Sequence, residues 1–361
     1  MGILLFVVGL VFLIAGAEAL VRGASRLAAV LGISPLVIGL TVVAFGTGSP
    51  ELAVGVGSAL SGQASIAVGN VVGSNIFNVL FILGLSALIV PLVVSQQLVR
   101  LDVPLMIALS VIVLILALDR SLSRGEGLLL VAGLAMYTGC LIYRSRRESV
   151  EVREEYDRES GTEKLAKSGW LINIGLVLGG LALLVLGSRW LVESAVSFAQ
   201  YLGVSELIVG LTIVAAGTSL PEVVTSIIAA IRGERDIAVA NVVGSNIFNL
   251  MGVLGFTSLV APAGIEVSTA VIGFDIPVMI AVALASLPIF FTGGVIGRPE
   301  GLFLLAYYVA YTLYLILAAS EHDALPRFST IMLFFVIPLS AVTMIMAALR
   351  EIRSGRKRLP E

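Results

Sequence analysis

"GNVVGSNIFN" at Gly69–Asn78 returns as "ANVVGSNIFN" at Ala240–Asn249, alike at nine of ten positions and 171 residues further on. Each copy sets three asparagines and a serine inside apolar sequence. The same shift carries outward from this phrase. "GLTVVAFGTGSPEL" at 39–52 meets "GLTIVAAGTSLPEV" at 210–223, Gly9 meets Gly180, and Pro91 meets Pro262. With slightly larger shifts, Asp102-Val-Pro meets Asp275-Ile-Pro and Glu126-Gly127 meets Glu300-Gly301. The chain is an internal duplication.

The duplicated material is membrane-like. Of 361 residues, 58% are hydrophobic and 13% charged, against about 25% charged in soluble domains. Leu27–Pro50, Leu52–Val99 and Val103–Leu118 carry no charge, and a span needs about 20 apolar residues. The hydropathy pattern predicts eleven helices near 3–29, 33–60, 65–89, 102–118, 125–144, 170–199, 205–231, 236–260, 275–291, 300–318 and 328–349. The first lacks a basic leader and has a counterpart deep in the chain, so it reads as a membrane helix and not a signal peptide. Asp102 and Asp275, each two residues before a proline, read as N-caps. One cysteine, Cys140, excludes an intramolecular disulfide framework and a multi-cysteine metal site. It reads as a packing residue. The single histidine, His322, falls in a polar connection.

Five helices followed by five similar ones imply that the second copy enters the membrane from the opposite side, an inverted-topology repeat. The fold expected is an all-α polytopic membrane protein. It comprises a five-helix repeat over 1–144, a charged cytoplasmic loop over 145–169, an inverted five-helix repeat over 170–319, and an extra transmembrane helix with a basic tail over 320–361. Cytoplasmic ends collect Lys and Arg. Helix one carries Arg22 and Arg26 near its exit, where helix six has Glu193 and Ser197. The N-terminus is therefore expected outside a plasma (inner) membrane, and the C-terminus in the cytoplasm. Arg120, Arg124 and Arg327 fall on the outside, so the charge rule acts here as a bias. Within the loop, Arg144–Glu148, Arg147–Glu151, Arg153–Asp157 and Glu154–Arg158 form i,i+4 pairs, expected to solvate an extension of helix five.

Ionisable residues inside a span are costly and mark function. Glu51 and Glu222 sit mid-helix at equivalent positions, each behind a proline, Pro50 or Pro221. A proline frees the carbonyl four residues back, here Gly46 and Gly217. Unpaired backbone at membrane depth is tolerated where it lines a cavity. Thr47 and Thr218 stand four residues before each glutamate, and Thr47 with Glu51, at i,i+4, is expected on one face of the helix. Asn70, Ser74 and Asn78 form one helical stripe, repeated by Asn241, Ser245 and Asn249. Small and polar residues also glue membrane helices together, and that reading suits Asn70, Asn75, Asn241 and Asn246. Ser74, Asn78, Ser245 and Asn249 instead face two glutamates without partners.

What converges is all oxygen, with neither thiolate nor imidazole. Such a site suits hard cations: Ca²⁺ takes six to eight oxygens, whereas Mg²⁺ demands a rigid octahedron and zinc or copper would want His or Cys. Na⁺ is close to Ca²⁺ in size. Two carboxylates are neutralised by one Ca²⁺ or by two Na⁺. If only loaded states can switch sides, such a protein exchanges ions and does not leak them.

Through "GTGSPE" and "GTSLPE", each followed by "GSNIFN", the chain resembles the cation/calcium exchanger superfamily, in its sodium/calcium exchanger branch, over about residues 1–319. The resemblance implies ten helices in two inverted halves, with Na⁺ and Ca²⁺ bound mid-membrane between helices two, three, seven and eight. Carried over by position, the ligands implied are Glu51, Glu222, Thr47, Thr218, Ser219, Ser74, Ser245, Asn78 and Asn249, with the carbonyls of Ala44 and Ala215. It also implies that helices one and six slide over this core. Two positions depart from the family pattern. Gly48 stands where the second copy has Ser219, and positions 78 and 249 are both asparagine where many relatives carry aspartate. The latter argues against K⁺ co-transport.

The function expected is secondary active Na⁺/Ca²⁺ antiport by alternating access, with Ca²⁺/H⁺ exchange on the same fold as the alternative. An intramembrane enzyme would need an aspartyl dyad, a Ser–His pair or a zinc motif, none of which the sequence offers. No enzymatic activity, cofactor, nucleic acid or obligate protein partner is expected. The partners expected are the two cations and the lipid bilayer.

Overall fold

The computed structural model describes residues 2–160, 170–202, 215–291, 294–343 and 346. Helix α1 is Gly2–Leu31. Helix α2 has two halves, Pro35–Thr47 and Ser49–Leu60, bent by 44° at Gly48. Then come α3 (Ser65–Ile89) and α4 (Leu98–Asp119), followed by α5 (Arg124–Ser160). The second series is α6 (Trp170–Tyr201), α7 (Leu220–Ile231, after a short turn Ala215–Gly217), α8 (Arg235–Val260), α9 (Val271–Phe291) and α10 (Arg298–Ala319). Helix α11 is Leu325–Thr343. Among the described residues nine helices are long and apolar enough to cross a membrane, ten with the bent pair counted as one span. The expected first half of helix seven at 205–214, part of the charged loop at 161–169, and the tail at 347–361 lie outside the described residues. So do the side chains expected to form the i,i+4 charge pairs of the loop, from residue 147 onward.

The two halves meet as pseudo-symmetric partners. Strand β1 (Leu92–Val93) pairs antiparallel with β4 (Val295–Ile296), and β2 (Ser121–Leu122) with β3 (Ile265–Glu266). Each ladder joins a loop of the first copy to a loop of the second. The first copy has π-helical turns at Asn78–Ile82 and Leu98–Asp102, and the second at Asn249–Val253 and Val271–Asp275. Single π-turns inside α-helices cluster at functional sites, and one pair begins on the final asparagine of the repeated phrase.

Helices α1 and α6 pack along their length because glycines remove the side chains between them. A Cβ on Gly16 would stand 2.7 Å from the Gly180 carbonyl oxygen, and one on Gly180 2.7 Å from that of Gly16. Gly9 and Gly187 make the same approach, which the repeat exchanges with the first. Backbones this close gain the dispersion contacts that drive association in lipid. The middle of helix α8, from Ile237 to Gly255, is wholly buried and α3 largely so, whereas α11 lies on the outside, held to α10 by the Tyr307 hydroxyl, which donates to Ser340 Oγ at 2.7 Å.

Two expectations are corrected. Asp102 and Asp275 are not N-caps. Helices α4 and α9 begin earlier, and their first N–H groups donate to the hydroxyls of Ser95 (Leu98 N, 3.4 Å) and Ser268 (Val271 N, 3.3 Å). Asp102 is fully buried inside its helix and accepts from the Tyr137 hydroxyl at 2.9 Å and Gln97 Nε2 at 3.2 Å. Cys140 is exposed on the outer face of α5, not packed in the core. His322 lies in the turn before α11, its Nδ1 accepting from the Ala324 N–H at 3.0 Å.

Candidate cation site

The breaks in α2 and α7 build the site. Gly48 (φ −76°, ψ 3°) and Ser219 (φ −89°, ψ 8°) leave helical geometry, each two residues before its proline, in the region where many active-site residues sit. The expected release of the carbonyls of Gly46 and Gly217 occurs, but neither is left bare. Ser49 Oγ donates to Gly46 O at 2.7 Å, and Ser188 Oγ, from α6, to Gly217 O at 2.7 Å. The carbonyl of Ala44 accepts the Gly48 N–H at 3.0 Å and faces the Thr47 hydroxyl at 3.5 Å. Ala215 opens the short turn leading to the break in α7.

Glu51 and Glu222 are both buried, each 1% exposed, and close enough to feel one another's charge. The one-face pairing expected of Thr47 with Glu51 does not hold, because the helix breaks at Gly48 between them. Instead the threonines cross over: Thr47 lies against the Glu222 carboxylate, and Thr218 against Glu51. Thr47 also donates to Asn241 Oδ1 at 3.1 Å, and Thr218 meets Asn70 Oδ1 at 3.5 Å. Asn241 Nδ2 donates onward to Ser226 Oγ at 3.0 Å and to the Glu222 carbonyl at 3.3 Å. Asn241 therefore joins both broken helices across the repeat boundary.

The site is asymmetric at one point. Ser219 Oγ donates to Glu51 Oε1 at 2.8 Å and lies 3.2 Å from Ser74 Oγ. Its counterpart is Gly48, so Glu222 and Ser245 receive no matching hydroxyl. The structure explains the glycine. A Cβ there would stand 2.9 Å from Phe248 Cδ1, and that ring stacks on Phe45 with centroids 4.7 Å apart.

Four asparagines cross the centre. Asn78 Nδ2 donates to Asn246 Oδ1 at 2.9 Å, and Asn249 Nδ2 to Asn75 Oδ1 at 3.1 Å. Asn75 Nδ2 lies 3.4 Å from the Asn246 carbonyl, and Asn246 Nδ2 3.4 Å from the Asn75 carbonyl. Asn75 and Asn246 sit one residue beyond Ser74 and Ser245, off the i,i+4 stripe of the repeated phrase. Only their partners, on the other repeat, give them a role. Nothing in the sequence marked Ser188.

Five buried oxygens at these residues have no hydrogen-bond partner among the described residues: Glu51 Oε2, Glu222 Oε2, Asn78 Oδ1, Asn249 Oδ1 and Ser245 Oγ. A buried acceptor left unpaired costs about 1–3 kcal/mol, more when charged. The ion pairs of Glu18 with Arg22 and Arg232, and of Arg189 with Glu193, do not reach these carboxylates. The described residues hold no cluster of three or more His, Cys, Asp or Glu, so the donor set is two carboxylates with amide and hydroxyl oxygens. Oxygen donors of this kind are the ligands that hard cations take.

Comparison with known proteins agrees with this chemistry. A family model described as "Sodium/calcium exchanger protein" matches residues 1–143 and 172–317. The chain is 40% identical over 309 residues to a putative antiporter CaxA from Alkalimonas amylolytica, covering 84% of this chain and 95% of the relative. It is 35% identical over 339 residues to the sodium/calcium exchanger MaX1 from Methanosarcina acetivorans, covering 85% and 96%. Among solved structures it resembles the sodium-calcium exchanger NCX_Mj soaked with Na⁺, with a TM-score of 0.72, 28% identity, and coverage of 88% of this chain and 98% of that one.

Proposed function

The chain belongs to the sodium/calcium exchanger protein family of membrane antiporters, and from that premise we propose that it exchanges Na⁺ for Ca²⁺ between α2, α3, α7 and α8 by alternating access. The observation that carries this reading is the pair of buried carboxylates, Glu51 and Glu222, one from each inverted repeat, with unpartnered oxygens and, among the described residues, no buried basic counter-charge. The ligands on this reading are Glu51, Glu222, Thr47, Thr218, Ser219, Ser74, Ser245, Asn78 and Asn249, with the carbonyls of Ala44 and Ala215.

The mechanism follows from charge. Two carboxylates facing each other in a low-dielectric interior repel strongly, so the unloaded site resists being enclosed. One Ca²⁺ or two Na⁺ cancels that charge, and the loaded site can pass from one side to the other. The asymmetry at Gly48 gives the two carboxylates different surroundings. Glu51 is held by Ser219, while Glu222 and Ser245 leave more oxygen free. Nothing in this cycle makes or breaks a covalent bond, so the proposed role is transport without enzymatic chemistry or a cofactor.

The test is ⁴⁵Ca²⁺ uptake by proteoliposomes of the purified protein loaded with Na⁺. An outward Na⁺ gradient should drive uptake, and dissipating it should stop uptake. A second reading is Ca²⁺/H⁺ exchange at the same carboxylates, each of which a proton can also neutralise. Uptake driven by a pH gradient in the absence of Na⁺ would decide for that reading and against Na⁺ coupling. On either reading external acid slows transport, because a protonated Glu51 or Glu222 is a poorer cation ligand. A flat rate between about pH 8 and about pH 5 would contradict both.

A further inference from the structure

The reading of Asn78 and Asn249 as cation ligands leaves one question of polarity. An asparagine amide has an oxygen that accepts and an NH₂ that donates. The two ends are alike in shape and opposite towards a cation. Something must decide which end faces the ions.

We propose that Asn75 and Asn246 are positioning residues that hold the oxygen ends of the Asn249 and Asn78 amides towards the transported cations. This rests on the functional reading above. Asn75 Nδ2 lies against the Asn246 carbonyl at 3.4 Å and Met279 Sδ at 3.6 Å. Asn246 Nδ2 lies against the Asn75 carbonyl at 3.4 Å and Met106 Sδ at 3.4 Å. A carbonyl oxygen and a thioether sulfur only accept, so the NH₂ end of each asparagine is fixed at that place. Its Oδ1 must then face the other way. There Asn75 Oδ1 meets Asn249 at 3.1 Å, and Asn246 Oδ1 meets Asn78 at 2.9 Å. An acceptor can be matched only by a donor, so Asn249 and Asn78 must turn their NH₂ groups towards it. Their Oδ1 atoms are left buried and unpartnered at the site. Polarity is thus relayed from two backbone carbonyls to two cation-facing oxygens. It crosses between the repeats, each half orienting the other half's ligand.

Replacing Asn75 by an apolar residue should free the Asn249 amide to turn its NH₂ towards the cations. An aspartate at 249 would not depend on such orientation, because both branches of a carboxylate end in oxygen. A double-substitution cycle therefore separates orientation from helix glue. The wild type, Asn75→Leu, Asn249→Asp and the double variant are reconstituted, and Na⁺-gradient-driven ⁴⁵Ca²⁺ uptake is followed against Ca²⁺ concentration. The expected result is that Asn75→Leu raises half-saturating Ca²⁺ roughly 10- to 100-fold, the usual loss for a partner that orients a metal ligand. In the Asn249→Asp background, where a carboxylate oxygen opposes Asn75 Oδ1 and no amide needs orienting, the same Asn75→Leu change should leave half-saturation unchanged or lower it. Equal shifts in the two backgrounds, or a lower maximal rate with unchanged half-saturation, would overturn the proposal. Asn246→Leu with Asn78→Asp gives the mirrored cycle and the same decision where Asn75→Leu does not insert as folded protein. Failure of the wild type to couple Ca²⁺ uptake to Na⁺ would instead strike the functional reading on which the proposal rests.

Discussion

At the scale of single residues, the carboxylates and the break at Gly48 are the most exposed to test. Glu51→Gln and Glu222→Gln each remove one charge from a site with no other counter-charge among its described neighbours. A lost partner for a buried charge costs about 3 kcal/mol or more, so each variant should exchange Ca²⁺ at least about 100-fold more slowly at sub-saturating ion. Gly48→Ser should be destabilising, because its Cβ would stand 2.9 Å from the Phe248 ring and overpacking costs about 1–3 kcal/mol. A lower melting temperature in detergent checks it, and Phe248→Leu in the same chain should restore the loss. The sequence disclosed these residues well where its signal was local. The duplicated Glu-Pro steps and the i,i+4 stripe ending at Asn78 and Asn249 are visible in one helix at a time. Partners on other helices were not visible. Thr47 serves Glu222, Asn241 reads as glue until it bridges α2 and α7, and Ser188 reaches Gly217 from a helix with no motif of its own.

At the scale of elements, periodicity and charge locate the described helices, but not how their ends are finished. Asp102 looks like a cap because it precedes Val103-Pro104, yet its helix is already one turn old and Ser95 does the capping. The π-turns and the two short ladders leave no mark in hydropathy, since they depend on contacts between the copies. Tyr137→Phe removes the hydroxyl that reaches the buried Asp102 at 2.9 Å. A hydrogen bond to a charged group contributes about 1.5–3 kcal/mol, so thermal denaturation should shift downward. Asn at 102, which needs less from the tyrosine, should reduce that shift. Gly180→Leu inserts a side chain where the Gly16 carbonyl stands 2.7 Å from a Cβ. It should part α1 from α6 and lower the yield of monodisperse protein, while Gly179→Leu, whose Cβ meets nothing within 4 Å, should be tolerated.

At the scale of the whole molecule, the duplication gives two half-sites that a membrane can join only if they enter it from opposite sides. The inverted arrangement was legible from an odd number of helices per copy, and the exchanger family model matches residues 1–143 and 172–317 of this chain. Helix α11 lies outside that match and on the periphery, so a chain ending after Ala319 should retain exchange. Loss of activity in a truncated protein that remains monodisperse would show that α11 contributes to the cycle. The central claim is that one cation cage is shared by both repeats, and anomalous scattering from crystals soaked in Sr²⁺ tests it most directly. The expected result is a peak between Glu51 and Glu222, with Asn78 Oδ1 or Asn249 Oδ1 among its ligands at about 2.4–2.6 Å, lost in Glu51→Gln and in Glu222→Gln alike. A peak held by residues of one repeat alone, or one that survives both substitutions, would contradict it.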